Sequence, residues 1–476
     1  MERSHRYEGL IEVSRMAVPI VFGQLSYVLM QFADQVMVSR LGTEQLAATA
    51  PAGLWFFIFS TFFLGISGCV STFAAQSLGR GEKEQGASYA WQGVYIGLAG
   101  GVFGMAVWPF ADDLFGLMGH TPEVTRLEVQ YFQIRMAGFV FMCWPAALTS
   151  FFQAVNRPSV PMYAAWFANG INLVLNYLLI YGKFGFPRME VAGAAWATVI
   201  AMGVQTVILQ ALFLSKSLDR EFQTRSRYVF NWQKVRELVR IGWPAGLSFF
   251  LDVFNWGVFT SLLVGRCGEV QMAAHNVAIN FLHLAFMPAV GLNHAVAPIV
   301  GQWIGRGNIP MAKTRTHTAI KIAICYMTAA GLCFAIFAKP LTRVFFSTDP
   351  QVVEIAAVIL ILAACYQAFD AVNIVVLGAL RGAGDTRWVM WVMSLASYCV
   401  FLPLAAFLCM GEVPVSRIPG IPAGWDLPGL GWEAKGAWLG ATIYTIGLSG
   451  LLFWRFHGER WRDIKIFEKD RVSVPE

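Results

Sequence analysis

Charge is nearly absent from twelve long stretches of this sequence: residues 16–38, 45–78, 86–110, 129–155, 158–181, 191–215, 241–264, 270–303, 322–338, 356–380, 388–410 and 436–454. A bilayer core is crossed by roughly 20 helical residues, so each stretch is long enough to span it. Each must also be helical, because hydrocarbon offers no partner to an unpaired backbone N–H or C=O. The residues between them are too few for a soluble domain of any size. With 57% hydrophobic and 13% charged residues among 476, and a mean hydropathy of +0.55, the chain is predicted to be an all-α polytopic membrane protein.

Orientation follows from the basic residues. The N-terminal tail and every second connection through to the C-terminal tail hold 25 Lys and Arg; the opposite set holds nine, and Arg135 lies at a span edge. The richer set is expected to face the cytoplasm, which places both termini inside. The net charge of +6 is thereby a topology signal, and nucleic acid is not expected as a partner. The first apolar run lacks a small-residue cleavage site and reads as a retained span rather than a signal peptide. The eight cysteines lie in or beside apolar runs without a CxxC pair and read as apolar filler rather than metal ligands or disulfides.

Two halves of the chain repeat. "LGTEQLAA" (41–48) aligns with "CGEVQMAA" (267–274), "LGIS" (64–67) with "VGLN" (290–293), and "AQSLGRGE" (75–82) with "GQWIGRGN" (301–308), all displaced by 226 residues. Six spans separate the matched blocks, so the halves have the same orientation and are expected to be related by an axis along the membrane normal. The predicted organisation is an N-terminal six-helix lobe (1–215), a basic cytoplasmic connector (216–240) and a C-terminal six-helix lobe (241–476). A Pro- and Gly-rich loop, 411–435, lies outside, with Trp425 and Trp432 as interface anchors.

Three carboxylates fall well inside the spans: Asp34, Asp252 and Asp370. An Asp at a helix centre costs roughly 2.5–3.5 kcal/mol on insertion scales, so each is expected to face a cavity or a partner. Counting from flanking charges at about 1.5 Å per residue puts Asp34 in the outer half of its span. The same count brings Asn172 and Asn176, which share a helix face at i and i+4, and Thr198 to a similar depth. One carboxylate, two amide oxygens and a hydroxyl make a plausible cage for a hard monovalent cation such as Na⁺. Asp252 and Asp370 lie near the midplane of the second half; whether they face each other cannot be read from spacing. Carboxyls in a low-dielectric cavity favour binding of a proton or an organic cation. His275, His283 and His294, at spacings compatible with one helical stripe, read as pore-lining or packing residues.

The sequence also resembles a known family, the multidrug and toxic compound extrusion (MATE) transporters, in its NorM-type branch. The resemblance is carried by "FADQVMVSRLGTEQLAA" (32–48), "AAQSLGRGE" (74–82), "GHTPEV" (119–124), "INLVLNYLLIYGKFG" (171–185), "IGWPAGLSFFLDV" (241–253), "AAHNVAINF" (273–281) and "YQAFDAVNIVVLGALRGAGDTR" (366–387). It implies two bundles of six helices forming a V around a central cavity, a monomer in the inner membrane of a bacterium, and export of cationic drugs or dyes in exchange for Na⁺ or H⁺. It implies no cofactor beyond that coupling ion. By position, Asp34, Asn172, Asn176 and Thr198 resemble the family's cation site, and Asp252 and Asp370 fall where NorM-type members keep acidic residues. Asp252 departs from the Glu common there and is shorter by one methylene. The alternative is a flippase for lipid-linked precursors from the same superfamily, which would be expected to line its cavity with Arg or Lys for phosphates. The deep charges here are acidic. An intramembrane enzyme would need a nucleophile, a base and a positioning group at one interface, and no HExxH or paired GxGD-type motif occurs.

Overall fold

The structure is a computed structural model that describes residues 2–345, 349–413, 427–458 and 460–472. Among the described residues, eleven single helices are long and apolar enough to cross a membrane: Glu8–Ser39, Thr43–Gly79, Lys83–Gly116, Ser159–Tyr181, Glu190–Phe213, Trp232–Cys267, Glu269–Gly305, Ile309–Val344, Pro350–Ala383, Thr386–Cys409 and Glu433–His457. A bent pair, Pro122–Ala137 with Val140–Ala154, makes the twelfth at an angle of 46°. Numbered in chain order, the bent pair is span four. It breaks at Gly138, where an added Cβ would meet Val199 at 2.5 Å, so the chain there packs directly on span six. All twelve expected spans are present, and the helices mostly run past the apolar stretches because polar turns in the headgroup region continue the same backbone pattern. The outer loop adds one detail the spans do not predict: a two-residue antiparallel ladder, Glu412 with Pro428 and Val413 with Leu427. Trp432 beside it is exposed, and Trp425 lies outside the described residues.

The first six and last six spans form two bundles, and their repeat-related residues meet. Gly79 and Gly305, displaced by the repeat length, touch so closely that a Cβ on either would stand 2.3 Å from a carbonyl oxygen of the other helix, that of Gln302 or Gln76. Those two glutamines, also repeat mates, each reach across the interface: Gln76 Nε2 donates to Gly382 O at 3.0 Å and Gln302 Nε2 to Ala154 O at 2.8 Å. Spans two and seven cross at a second pair of glycines, where a Cβ on Gly65 would lie 2.3 Å from Gly246 Cα. Thr72 Oγ1 adds a bond to Arg381 O at 2.9 Å. These contacts lie toward the end that carries the termini, so the bundles are closed on that side.

Span one serves both bundles. Near its start Glu12 accepts from Arg315 Nε at 2.6 Å and Trp303 Nε1 at 3.2 Å, both in the second bundle. Near its end Met37 O accepts from Tyr181 Oη of span five at 2.9 Å.

The segment after span twelve folds back across the closed end. Trp461, Ile466 and Phe467 are buried, and Phe467 packs edge-on against Phe73 of span two. Arg80 sits 4.3 Å above the Phe467 ring and pairs with Asp470 at 2.5 and 3.1 Å, while Lys469 reaches Glu82 at 2.7 and 2.8 Å. Glu237 accepts from the Glu468 backbone N–H at 2.6 Å and from the Tyr89 hydroxyl. This strap ties the tail of the second bundle to the first. The Arg80 hydrogen bond holds the Asp470 carboxyl below its ordinary range. A depressed carboxyl stabilises above its unfolded pKa, about 3.9, and loses that contribution as pH falls through the lower folded value. The pair should therefore be intact at neutral pH and open only in strong acid. Asp470→Ala is expected to speed tryptic cleavage at Arg462 and Lys465 several-fold at pH 7; an unchanged digestion rate would mean that the ion pair does not hold the strap.

Candidate functional site

Spans one, five and six bring Asp34, Asn172, Asn176 and Thr198 together. Asn172, Asn176 and Thr198 are at most 1% exposed, and Asp34 is half-buried. Asn176 Nδ2 donates to Asp34 Oδ1 and, at 2.9 Å, to Asn172 Oδ1 one helical turn earlier. Asn172 Nδ2 faces Thr198 Oγ1 at 3.5 Å. Asp34 Oδ2 stands 3.3 Å from the same hydroxyl oxygen. Thr198 has one hydroxyl proton and two acceptors within its reach, Ala194 O on its own helix at 2.9 Å and Asp34 Oδ2 across the interface. Asn176 Oδ1 is also buried and has no hydrogen-bond partner. A carboxylate, two amides and a hydroxyl gathered in this way are chemically suited to a proton or a small hard cation.

Arg135 is a member of this neighbourhood that the sequence reading assigned to a span edge. It is 7% exposed, just before the bend in span four, with its guanidinium 4.2 Å from the centre of the Phe56 ring and its Nε without an acceptor. Its charge acts on Asp34 and on the half-buried Tyr131 one turn earlier. The available signal was Arg135 itself, a charge six residues inside the run 129–155. A guanidinium near the cage opposes a second cation, so Arg135→Gln is expected to raise the affinity of the site for its cation several-fold, read by ion-dependent protection against heat. A lower affinity would contradict that placement.

In the second bundle, Asp252 on span seven and Asp370 on span ten lie close enough for their charges to act on each other. Asn373, three residues after Asp370, donates its Nδ2 to Thr445 O at 3.2 Å. Tyr444 stands within the field of both carboxylates and shares a 3.0 Å hydrogen bond with Ser397. Tyr366 lies beside Asp370. Two acidic side chains with two buried phenol groups within reach of their charge make an environment chemically suited to a positive charge carried on an apolar body.

The three histidines of span eight do not share one environment. His275 is fully buried: Trp438 Nε1 donates to its Nδ1 at 3.1 Å, which leaves Nε2 as the protonated nitrogen, 3.0 Å from Thr260 Oγ1. His283 is exposed, and His294 is intermediate. His275 is therefore a packing residue, locked neutral by its two partners.

A twelve-span double bundle with polar residues gathered inside each half is the architecture of a multi-pass membrane protein. The family model described as MatE matches residues 19–178 and again 244–407, at a spacing close to the internal repeat, and the chain belongs to that family. Its relatives include a probable multidrug resistance protein NorM of Bradyrhizobium diazoefficiens, 28% identical over 95% of this chain and 94% of the relative. NorM-named proteins of Thermotoga maritima (26%, covering 97% and 95%) and Pseudomonas aeruginosa (29%, covering 93% and 89%) are similar to it as well. Among solved structures, an outward-facing multidrug resistance MATE family transporter has the same fold with a TM-score of 0.84 at 21% identity over 96% and 97% of the two chains. A Vibrio cholerae MATE transporter also has it, with a TM-score of 0.84 at 18% identity over 98% and 99%. As a member of a transporter family, the chain is not an enzyme.

Proposed function

We propose that this protein is a secondary antiporter that exports cationic amphiphilic organic compounds in exchange for Na⁺ or H⁺, from a bacterial inner membrane with both termini in the cytoplasm. The observation that carries the reading is the pair of acidic sites on different bundles: a hydrogen-bonded oxygen cluster at Asp34 and a second, acidic and phenol-bearing cluster at Asp252 and Asp370. The first is suited in size and ligand type to a bare ion, the second to a bulky cation. The multidrug names of the relatives support the substrate class.

With the termini inside, the contacts between the bundles at the terminus side close the cytoplasmic end. A coupling cation arriving from outside binds at Asp34, Asn172, Asn176 and Thr198, neutralises the carboxylate and draws spans one, five and six together. Span one also holds Glu12 against Arg315 and Trp303 of the second bundle, so a rearrangement at Asp34 reaches the other half through one continuous helix. Drug release favours cation binding and cation release favours drug binding, because each ligand shifts the population that the other prefers. No second reading is favoured: a phosphate-bearing cargo would need basic groups where Asp252 and Asp370 stand.

The pocket assignment is tested by dye binding. The double variant Asp252→Asn/Asp370→Asn is expected to weaken binding of a cationic dye at least tenfold while leaving ion-dependent protection at Asp34 in place. Unchanged dye affinity would remove the acidic pair from the substrate site.

A further inference from the structure

We propose that Cys267 and Cys409 form a disulfide on the outer face, tying the outer end of span seven to that of span eleven. The inference rests on the topology proposed above, since the same pair on the cytoplasmic side would be kept reduced.

The two thiols are 142 residues apart in sequence, yet their sulfurs stand 3.1 Å apart. They converge on one acceptor, Leu263 O, at 3.3 Å from Cys267 Sγ and 3.7 Å from Cys409 Sγ. Each cysteine closes its helix: Cys267 ends the 3₁₀ turn Val264–Cys267, and Cys409 ends the helix Leu402–Cys409. The remaining six thiols are placed differently. Cys69 and Cys143 are buried, and Cys325, Cys333, Cys365 and Cys399 are exposed along the spans.

An oxidant can reach one sulfur and not the other, which sets the order of the chemistry. Cys409 is 2% exposed, whereas Cys267 lines a cleft of about 430 Å³ with Gln271, Glu354, Glu433 and Lys435. The Cys267 thiolate attacks a disulfide of an exported thiol–disulfide oxidant and releases one of its sulfurs as a thiolate. The Cys409 thiolate then attacks Cys267 Sγ and expels the second. Two protons and two electrons leave the pair, and the oxidant departs as a dithiol.

The bond would span a mechanically special part of the second bundle. Spans seven and eleven each carry a π-helical turn, Phe259–Leu263 and Ser397–Phe401, a feature frequent at functional sites. The rings of Phe259 and Phe401 stack across them at 5.3 Å. Asp252 lies on span seven below its π turn, and Ser397 on span eleven holds the Tyr444 hydroxyl near both acids. A cross-link at Cys267 and Cys409 fixes the outer ends of the two helices that flank the acidic pocket.

The test counts thiols. Protein purified without reductant from cells with an intact exported-thiol oxidising system, then denatured and alkylated with iodoacetamide, is expected to carry six adducts, rising to all eight of its cysteines after reduction. Peptide mapping should join the segments that hold Cys267 and Cys409, and Cys267→Ser should show seven adducts with and without reduction. Eight adducts before reduction, or a bond between other cysteines, would overturn the proposal. Orientation is read separately in a cysteine-free background with Lys183→Cys and Lys313→Cys. An impermeant maleimide on intact cells should label the first and not the second. Eight free thiols with that labelling pattern refute the disulfide alone, and the reverse pattern refutes the topology and the disulfide with it.

Discussion

Replacing Asp34 with Asn is expected to reduce ion-driven efflux by about 100-fold or more in proteoliposomes, to the level of protein-free vesicles. The change keeps the size of the side chain and removes its charge. In the wild type, Oδ1 takes the Asn176 amide proton and Oδ2 lies 3.3 Å from the Thr198 hydroxyl. In the proposed mechanism the carboxylate is the one charged ligand of the coupling cation. An amide there offers only a dipole, and losing one partner of a buried charged contact costs about 3 kcal/mol or more, which corresponds to the stated loss. The variant should still fold, because the other three cage members, Asn172, Asn176 and Thr198, are buried among their own helices and keep the 2.9 Å Asn176–Asn172 bond. Dye binding at Asp252 and Asp370 should survive, so the defect is in coupling. Full antiport by Asp34→Asn would contradict the assignment of the cage.

A second large effect is expected far from any charge. Gly246 lies where spans two and seven cross, and a Cβ there would come within 2.3 Å of Phe62 O and 3.2 Å of Phe62 Cα. Backbone cannot swing aside as a side chain can, so Gly246→Val must separate the two helices. Because the crossing joins the bundles on the terminus side, the variant should favour the conformation in which that side is open and cut efflux at least tenfold. Spin labels at the terminus-side ends of spans two and eight should report a longer distance. Gly257→Ala supplies the control on the same helix: a Cβ there meets nothing within 4 Å, so transport should be unchanged, with a gain of up to about 1 kcal/mol from helix propensity. Equal effects of Gly246→Val and Gly257→Ala would mean that the crossing does not limit transport.

The spans were legible because a bilayer accepts only long apolar helices, and the common depth of four polar residues was legible because a helix is a ruler. Counting from Arg40, Lys183 and Arg188 placed Asp34, the two asparagines and Thr198 at one depth, and the structure joins them by hydrogen bonds. Counting along a helix does not reveal a break. Arg135 read as an edge charge because Gly138, three residues on, gives no sign in composition that span four bends there. The ruler also reports depth but not facing direction. It therefore left open whether Asp252 and Asp370 meet, and it put His275 on a stripe with His283, although Trp438 and Thr260 enclose the first and the second is exposed. Contacts made after the last span were beyond its reach: nothing in "IKIFEKD" alone shows that Phe467 returns to Phe73 or that Asp470 meets Arg80.

The central claim is that a cation gradient acting at Asp34 drives cationic cargo out through the cavity between the bundles. It is tested most directly with purified protein in liposomes, imposing a Na⁺ gradient and a pH gradient separately and following efflux of a fluorescent cationic dye. At least one gradient is expected to drive dye against its concentration difference in the wild type and to fail with Asp34→Asn. Dye movement that responds to neither gradient would contradict the antiport account.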